Sequence, residues 1–296
     1  MGTQCEVHYR AENAAAGRAF VREAVDWVTA FESKYSRFRP DSLISRINAA
    51  ASRDWVEIDA DAERMFALAD QIHVLSRGII DVTMLPLLRL WNYKAPQPRV
   101  PSPEEIDAAV TKIGWARVRR EPGRIYLPDT GMGLDLGGFG KEYAVDRVMD
   151  IARRHGIANV LIDFGHDVRV AGAPADAPCW SIGIEDFAQP GAVRTRVILN
   201  DGGVASSGDY IRYFEAGGRR FGHIVDPRTG QPVASDCRSV TVVAASCLEA
   251  GILSTTAFVL GPGEGRALID DYFGAEGLLQ CAGRQIQTRG FYRYAF

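Results

Sequence analysis

The sequence has no apolar run that approaches the roughly 20 residues needed to span a bilayer. Its apolar stretches, such as 257–261 and 277–279, stop within a few positions. A helical membrane protein is therefore excluded. No C-x-x-C pair occurs among the five cysteines at 5, 179, 237, 247 and 281, and their number is odd. That argues against a disulfide framework and a cysteine-based zinc site; reduced thiols in a cytoplasmic protein are expected. An excess of one charge is also lacking, with 34 Lys plus Arg against 37 Asp plus Glu and a net charge of -3. Nothing there marks a nucleic-acid or anionic-membrane partner. The opening Met1-Gly2-Thr3-Gln4-Cys5-Glu6 lacks the basic-then-apolar order of a secretory signal. Residue 6 is Glu rather than the Ser or Thr that myristoylation needs. The expected localisation is cytoplasmic, or that of a trimmed form of an exported protein. No fixed-period repeat and no low-complexity tract is visible.

Helix-type and strand-type patterns are both present. Residues 14–36 repeat apolar positions at helical spacing through Phe20, Val21, Val25, Val28 and Phe31. Helices are also expected over 43–48 (opening at Asp41-Ser42), 61–76, 103–113 (opening at Ser102 or Pro103), 141–155, 247–260 and 264–273. Strands are expected at 6–10, 55–58, 159–164, 168–171, 180–185, 195–200, 204–206, 210–215, 221–225, 236–244, 277–281, 286–288 and 291–295. Residues 124–128 and 131–135 are expected to pair as strands. The proline-rich segment 96–103 reads as a surface loop. Strands and helices mix without strict alternation, so the expected class is α+β, as one domain over 1–296.

Four clusters can carry chemistry. In Asp135-Leu136-Gly137-Gly138-Phe139-Gly140-Lys141-Glu142 a strand runs through glycines into a helix. Backbone N–H groups and a helix N-terminus suit a phosphate there, and Lys141 adds a full charge. The pattern is neither a P-loop nor a dinucleotide fingerprint, and a tight turn with a solvated lysine explains it as well. His223 precedes the turn Asp226-Pro227-Arg228-Thr229-Gly230; it can serve as a general base or simply brace the turn. Ser206-Ser207-Gly208-Asp209-Tyr210 suits phosphate or ribose contacts, or turn capping. Trp91 and Tyr93, near Pro86, can stack on a planar ring or pack in the core.

Taken in order, these segments resemble the ApbE family of FAD:protein FMN transferases nearly end to end. The resemblance runs through Met1-Gly2-Thr3, residues 35–42, Ser45-Arg46-Ile47-Asn48 and Asp81-Val82-Thr83 to Trp91. It continues through 135–146, 206–210, 223–230 and 246–261 around Leu253-Ser254-Thr255. It implies an α+β fold of mixed, T-fold-like sheets flanked by helices, whose two halves enclose an FAD cleft. It implies transfer of FMN from FAD to a Ser or Thr of an acceptor flavoprotein, with AMP leaving and a divalent metal, usually Mg²⁺, at the pyrophosphate. An FAD-binding carrier without turnover, and an FAD pyrophosphatase giving FMN and AMP, are the alternatives.

By position the resemblance assigns His223 as the active-site histidine. It assigns Met1, Leu90, Trp91, Asn92, Asp135, Gly137, Gly138, Lys141, Ser207, Gly208 and Ile224 to the cofactor. Metal ligands are the Gly138 carbonyl and the Thr255 hydroxyl. The family pattern also expects Asp four residues before the threonine, and this chain has Gly251. Glu249 lies on another side of that helix. Two more departures are His166, a substitute ligand, a flavin contact or a loop residue, and Gly222, where a histidine often stands.

Overall fold

The computed structural model describes residues 2–189 and 191–296. Among these the helices are α1 (Ala14–Tyr35), α2 (Leu43–Ala50), α3 (Ala60–Leu75), α4 (Leu85–Leu90), α5 (Pro103–Val110), α6 (Gly140–Arg154) and α7 (Cys247–Asp271). The strands are β1 (Cys5–Arg10), β2 (Val56–Glu57), β3 (Arg119–Glu121), β4 (Arg124–Tyr126), β5 (Asn159–Phe164), β6 (Asp167–Ala171) and β7 (Trp180–Glu185). They continue with β8 (Val193–Leu199), β9 (Asp201–Gly208), β10 (Tyr213–Ala216), β11 (Arg219–Gly222), β12 (Cys237–Ala244), β13 (Glu276–Cys281) and β14 (Arg284–Gln287). The class is α+β, with every pair of named strands antiparallel. No helix among the described residues is long and apolar enough to cross a membrane.

The chain forms two compact units. The first comprises the chain up to Thr29, Phe139–Tyr210 and Ser235–Phe296. Its frame is a seven-stranded sheet in the order β1-β5-β6-β9-β12-β13-β14. On one face Phe20 and Ala24 of α1 and Val145, Val148 and Met149 of α6 meet Val160, Ile162 and Phe164 of β5. On the other, Val168 and Val170 of β6 and Val204 of β9 meet Ile184, Val197 and Leu199 of the β7–β8 hairpin. Alternate residues of each strand thus serve opposite faces, which is what a period-2 pattern dictates. Burying each such side chain contributes about 1.5–3 kcal/mol. The β5–β6 hairpin closes through Gly165 (φ 61) and His166 (φ 71), the two positive-φ positions of a tight two-residue turn.

The second unit comprises Ala30–Gly138 and Ile211–Ala234. It carries α2 to α5, a three-stranded sheet ordered β2-β4-β3, and the β10–β11 hairpin. Its core joins Met84, Leu87, Trp91, Ile106, Ala109, Phe214, Phe221 and Val225. Local signals set the helix starts. Ser42 caps α2, and Ser102 with Glu105 forms a full capping box at α5, with Pro103 at the first helical position.

Several expectations need correction. Residues 131–135 do not pair with β4, whose partners are β2 and β3. Instead the Asn48 amide grips Leu134, accepting its N–H at 2.6 Å and donating to its carbonyl at 2.9 Å, while Gly133 forms a lone bridge to Met84. A side-chain amide has taken the role of a strand partner. Residues 291–295 are no strand: Phe291–Arg293 is a 3-10 turn with Phe291 buried. The six residues of α4 were not anticipated as a helix. The two helices expected over 247–260 and 264–273 are both present within α7, separated by a kink at Gly261 (φ 82), just before Pro262.

Candidate functional site

In the second unit, the Asp135-to-Gly138 turn is held from both sides. The Asp135 N–H donates to Val82 O at 2.8 Å, and its carboxylate pairs with the Arg37 guanidinium. The same carboxylate accepts the Gly137 N–H at 2.5 Å. A Cβ at 137 would lie 2.7 Å from Asp135 Oδ1, so only glycine permits this closure. Gly137 and Gly138 are exposed, presenting bare backbone. Asp135 therefore builds the turn, with Arg37 offsetting its charge.

Trp91 is 3% exposed. Its ring stacks on Phe221 at 5.6 Å between centroids, and its indole N–H donates to Gly230 O at 2.7 Å. The Phe221 stack and the indole N–H are used internally. Leu90 is half-buried and Asn92 exposed. His223 follows β11 and is half-buried, its N–H donating to Arg212 O at 3.0 Å. Its ring lies 5.8 Å from that of Tyr93. The half-buried Ile224 accepts the Val233 N–H at 3.0 Å. Downstream, Asp226 organises the turn: its side chain takes the Arg228 N–H at 2.9 Å and pairs with the Arg228 guanidinium, and its carbonyl accepts the Gly230 N–H at 2.8 Å. Trp91 and Asp226 together fix the loop that carries His223.

In the first unit, Lys141 lies in the first turn of α6 and pairs with the buried Asp167. Its ammonium is 3.9 Å from Glu142 Oε1. Ser207 and Thr255, both expected at the site, meet directly: their hydroxyls are 2.8 Å apart. Ser207 Oγ also lies 3.0 Å from Ser254 Oγ, and the Ser254 hydroxyl donates to Gly251 O at 3.1 Å. Gly208 ends β9 beside this group. Asp146, on α6, accepts the N–H groups of Cys247 (3.0 Å) and Leu248 (2.8 Å), so α6 caps the start of α7. Burial pushes the Asp146 carboxyl up, partly offset by those N–H groups and by Arg169.

The Cys247 thiol is pushed well up by burial, then by the Asp146 and Glu142 carboxylates. Burial raises Cys237 as well. A raised thiol stays protonated at mildly alkaline pH, so its thiolate fraction falls. With a thiol reagent near pH 8, about half a unit below an ordinary thiol pKa, the exposed Cys5 labels first. Cys237, Cys247 and Cys281, all buried, label only after unfolding. Fast labelling of Cys247 in the native chain would contradict this placement.

Met1 lies outside the described residues. His166 is exposed at its hairpin turn, its N–H held by Asp163 at 2.7 Å. Among the described residues no group of three His, Cys, Asp or Glu is placed to hold a metal ion. Sequence reasoning missed three partners: Arg37 on Asp135, Asp167 on Lys141, and Glu142 against Gly251. None has a local signal, because each pairing comes from elements distant in sequence.

The ApbE family model matches residues 1–279. The chain belongs to the ApbE family. A Vibrio cholerae protein named FAD:protein FMN transferase is 30% identical over 91% of this chain and 82% of its own length. A Treponema pallidum protein of the same name is 29% identical over 97% and 84%. Among solved structures, an ApbE protein from Thermotoga maritima superposes with a TM-score of 0.89 at 30% identity, over 99% of this chain and 96% of that one. The Pseudomonas stutzeri flavinyl transferase ApbE gives 0.87 at 30%, over 99% and 94%. The ApbE membership accounts for the ordered motifs.

Proposed function

We propose that this chain is an FAD:protein FMN transferase that acts as one functional domain over 1–296, moving FMN from FAD to a Ser or Thr hydroxyl of an acceptor flavoprotein. The observation that carries the reading is ApbE membership over nearly the whole chain, with relatives of that name aligned through both units. The acceptor oxygen attacks the phosphorus on the FMN side of the pyrophosphate. The P–O bond to AMP breaks, AMP leaves with the electron pair, and the hydroxyl proton passes to His223 as general base. Catalysis of such a step is mostly positioning and charge stabilisation.

Lys141 supplies positive charge to the pyrophosphate at the N-terminus of α6, with Asp167 fixing its ammonium. The exposed backbone at Gly137 and Gly138, and the Ser207 and Gly208 pair, are the phosphate and ribose contacts. Leu90, Asn92 and Ile224 line the ring pockets, with Trp91 acting from behind through Gly230. A divalent cation, Mg²⁺ in this reading, would neutralise charge on the pyrophosphate oxygens. The Thr255 hydroxyl and Gly138 carbonyl are hard oxygen donors of the type it takes, and the fixed Ser207–Thr255 contact fits that role. A cytoplasmic setting fits five free cysteines.

The test is in-gel flavin fluorescence of the acceptor after denaturation, with FAD or FMN as donor. Labelling from FAD and none from FMN is expected, since only FAD carries the AMP leaving group. Free FMN and AMP with an unlabelled acceptor would instead indicate a pyrophosphatase, and bound FAD without products a carrier.

A further inference from the structure

Position 251 is where the family pattern expects a carboxylate, and the structure shows what fills that space. A Cβ built on Gly251 would lie 2.5 Å from Glu142 Cγ, 3.1 Å from its Cδ and 3.4 Å from its Cβ. Carbon atoms pack at about 3.5–4.0 Å, so the Glu142 side chain already occupies the volume of a side chain at 251. Gly251 is buried within α7, and Glu142 arrives from the first turn of α6. A side chain reaches this point from one helix or from the other.

Gly251 O accepts the Ser254 hydroxyl at 3.1 Å, so this point adjoins the hydroxyls of α7. Residues 251 and 255 are one turn apart on one face of α7, and Thr255 Oγ1 is fixed by Ser207 at 2.8 Å. The Glu142 carboxylate has the Lys141 ammonium 3.9 Å from its Oε1. Asp146 holds the Cys247 and Leu248 N–H groups and faces Arg169 at 3.7 Å, and Asp167 pairs with Lys141. Cys247, one turn before Gly251, is kept as a neutral thiol first by burial, then by the Asp146 and Glu142 carboxylates.

We infer that Glu142 supplies, from α6, the carboxylate that binds the divalent cation alongside Thr255, and that glycine at 251 is the small residue that admits it. The inference rests on the transferase reading. It explains how an ApbE chain keeps a hard anionic ligand after losing it from α7. One carboxylate suffices, because Mg²⁺ binds through one or two carboxylates together with substrate phosphates and water.

The test uses Mn²⁺ alone as the probe, with free ion counted by electron paramagnetic resonance on the full chain. Glu142→Gln keeps the shape and removes the charge. Its Mn²⁺ affinity should fall by at least the roughly 10–100-fold that loss of an outer-shell partner costs, with the melting temperature retained. Gly251→Asp alone forces two side chains into one space and should lower the melting temperature. The double variant Glu142→Gly with Gly251→Asp should recover Mn²⁺ affinity close to the starting chain. The inference is overturned if Glu142→Gln binds Mn²⁺ as the starting chain does, or if the starting chain binds none. It is also overturned if a stably folded double variant binds no better than Glu142→Gln. The two readings fail separately. Unchanged Mn²⁺ binding in Glu142→Gln with acceptor labelling intact removes only the Glu142 assignment. The expected Mn²⁺ pattern with no labelling removes only the transferase.

Discussion

His223→Ala is expected to lower FMN transfer by about 10²–10⁴-fold, the range for loss of a general acid or base, while FAD affinity stays nearly unchanged. The side chain is proposed to act on the acceptor proton in the transition state, so its loss should appear in kcat rather than in binding. The structure supports a positioned imidazole rather than a loose one. The His223 backbone is tied to Arg212, its ring lies against Tyr93, and the following turn is closed by Asp226. Single-turnover transfer and FAD titration of the same variant separate the two effects. Loss of FAD binding with an unchanged transfer rate at saturation would make His223 a cofactor contact instead.

Trp91→Ala is expected to cost about 3–5 kcal/mol of stability, as large aromatic deletions in cores do. The Gly230 carbonyl would also lose its indole donor, which adds roughly 1–3 kcal/mol if it stays dry. Trp91 is buried between α4, α5 and the β10–β11 hairpin, stacked on Phe221. Trp91→Phe keeps the stack and loses the N–H, so it should fall in between. Urea midpoints of the three chains check the order. A change below about 1 kcal/mol for Trp91→Ala would be typical of a surface site rather than a core one, and would place the ring against the flavin instead.

The elements that local chemistry dictates were legible in the sequence. The Ser42 and Ser102 caps and the alternation along 159–164 were each visible in a few adjacent residues. Residues 131–135 misled because Met132 and Leu134 alternate with glycines as a strand would. What holds them is the Asn48 amide, and no local pattern announces a partner from α2. The candidate site divides in the same way. Its motifs lay in the sequence in family order, and the meeting of Ser207 with Thr255 follows from β9 packing under α7. Trp91 carried two readings in sequence, and burial on all sides favours the core. Glu142 carries no sequence signal, because its relation to Gly251 exists only where α6 meets α7, a contact between residues far apart in the chain.

The most direct test of the transferase is a mass balance. The chain is incubated with FAD, Mg²⁺ and an acceptor flavoprotein, and AMP is counted against FMN covalently held on the acceptor. Equal amounts of the two are expected, with labelling lost when the acceptor's target hydroxyl is replaced by alanine. AMP released with FMN free in solution, or no AMP at all, would contradict the transferase.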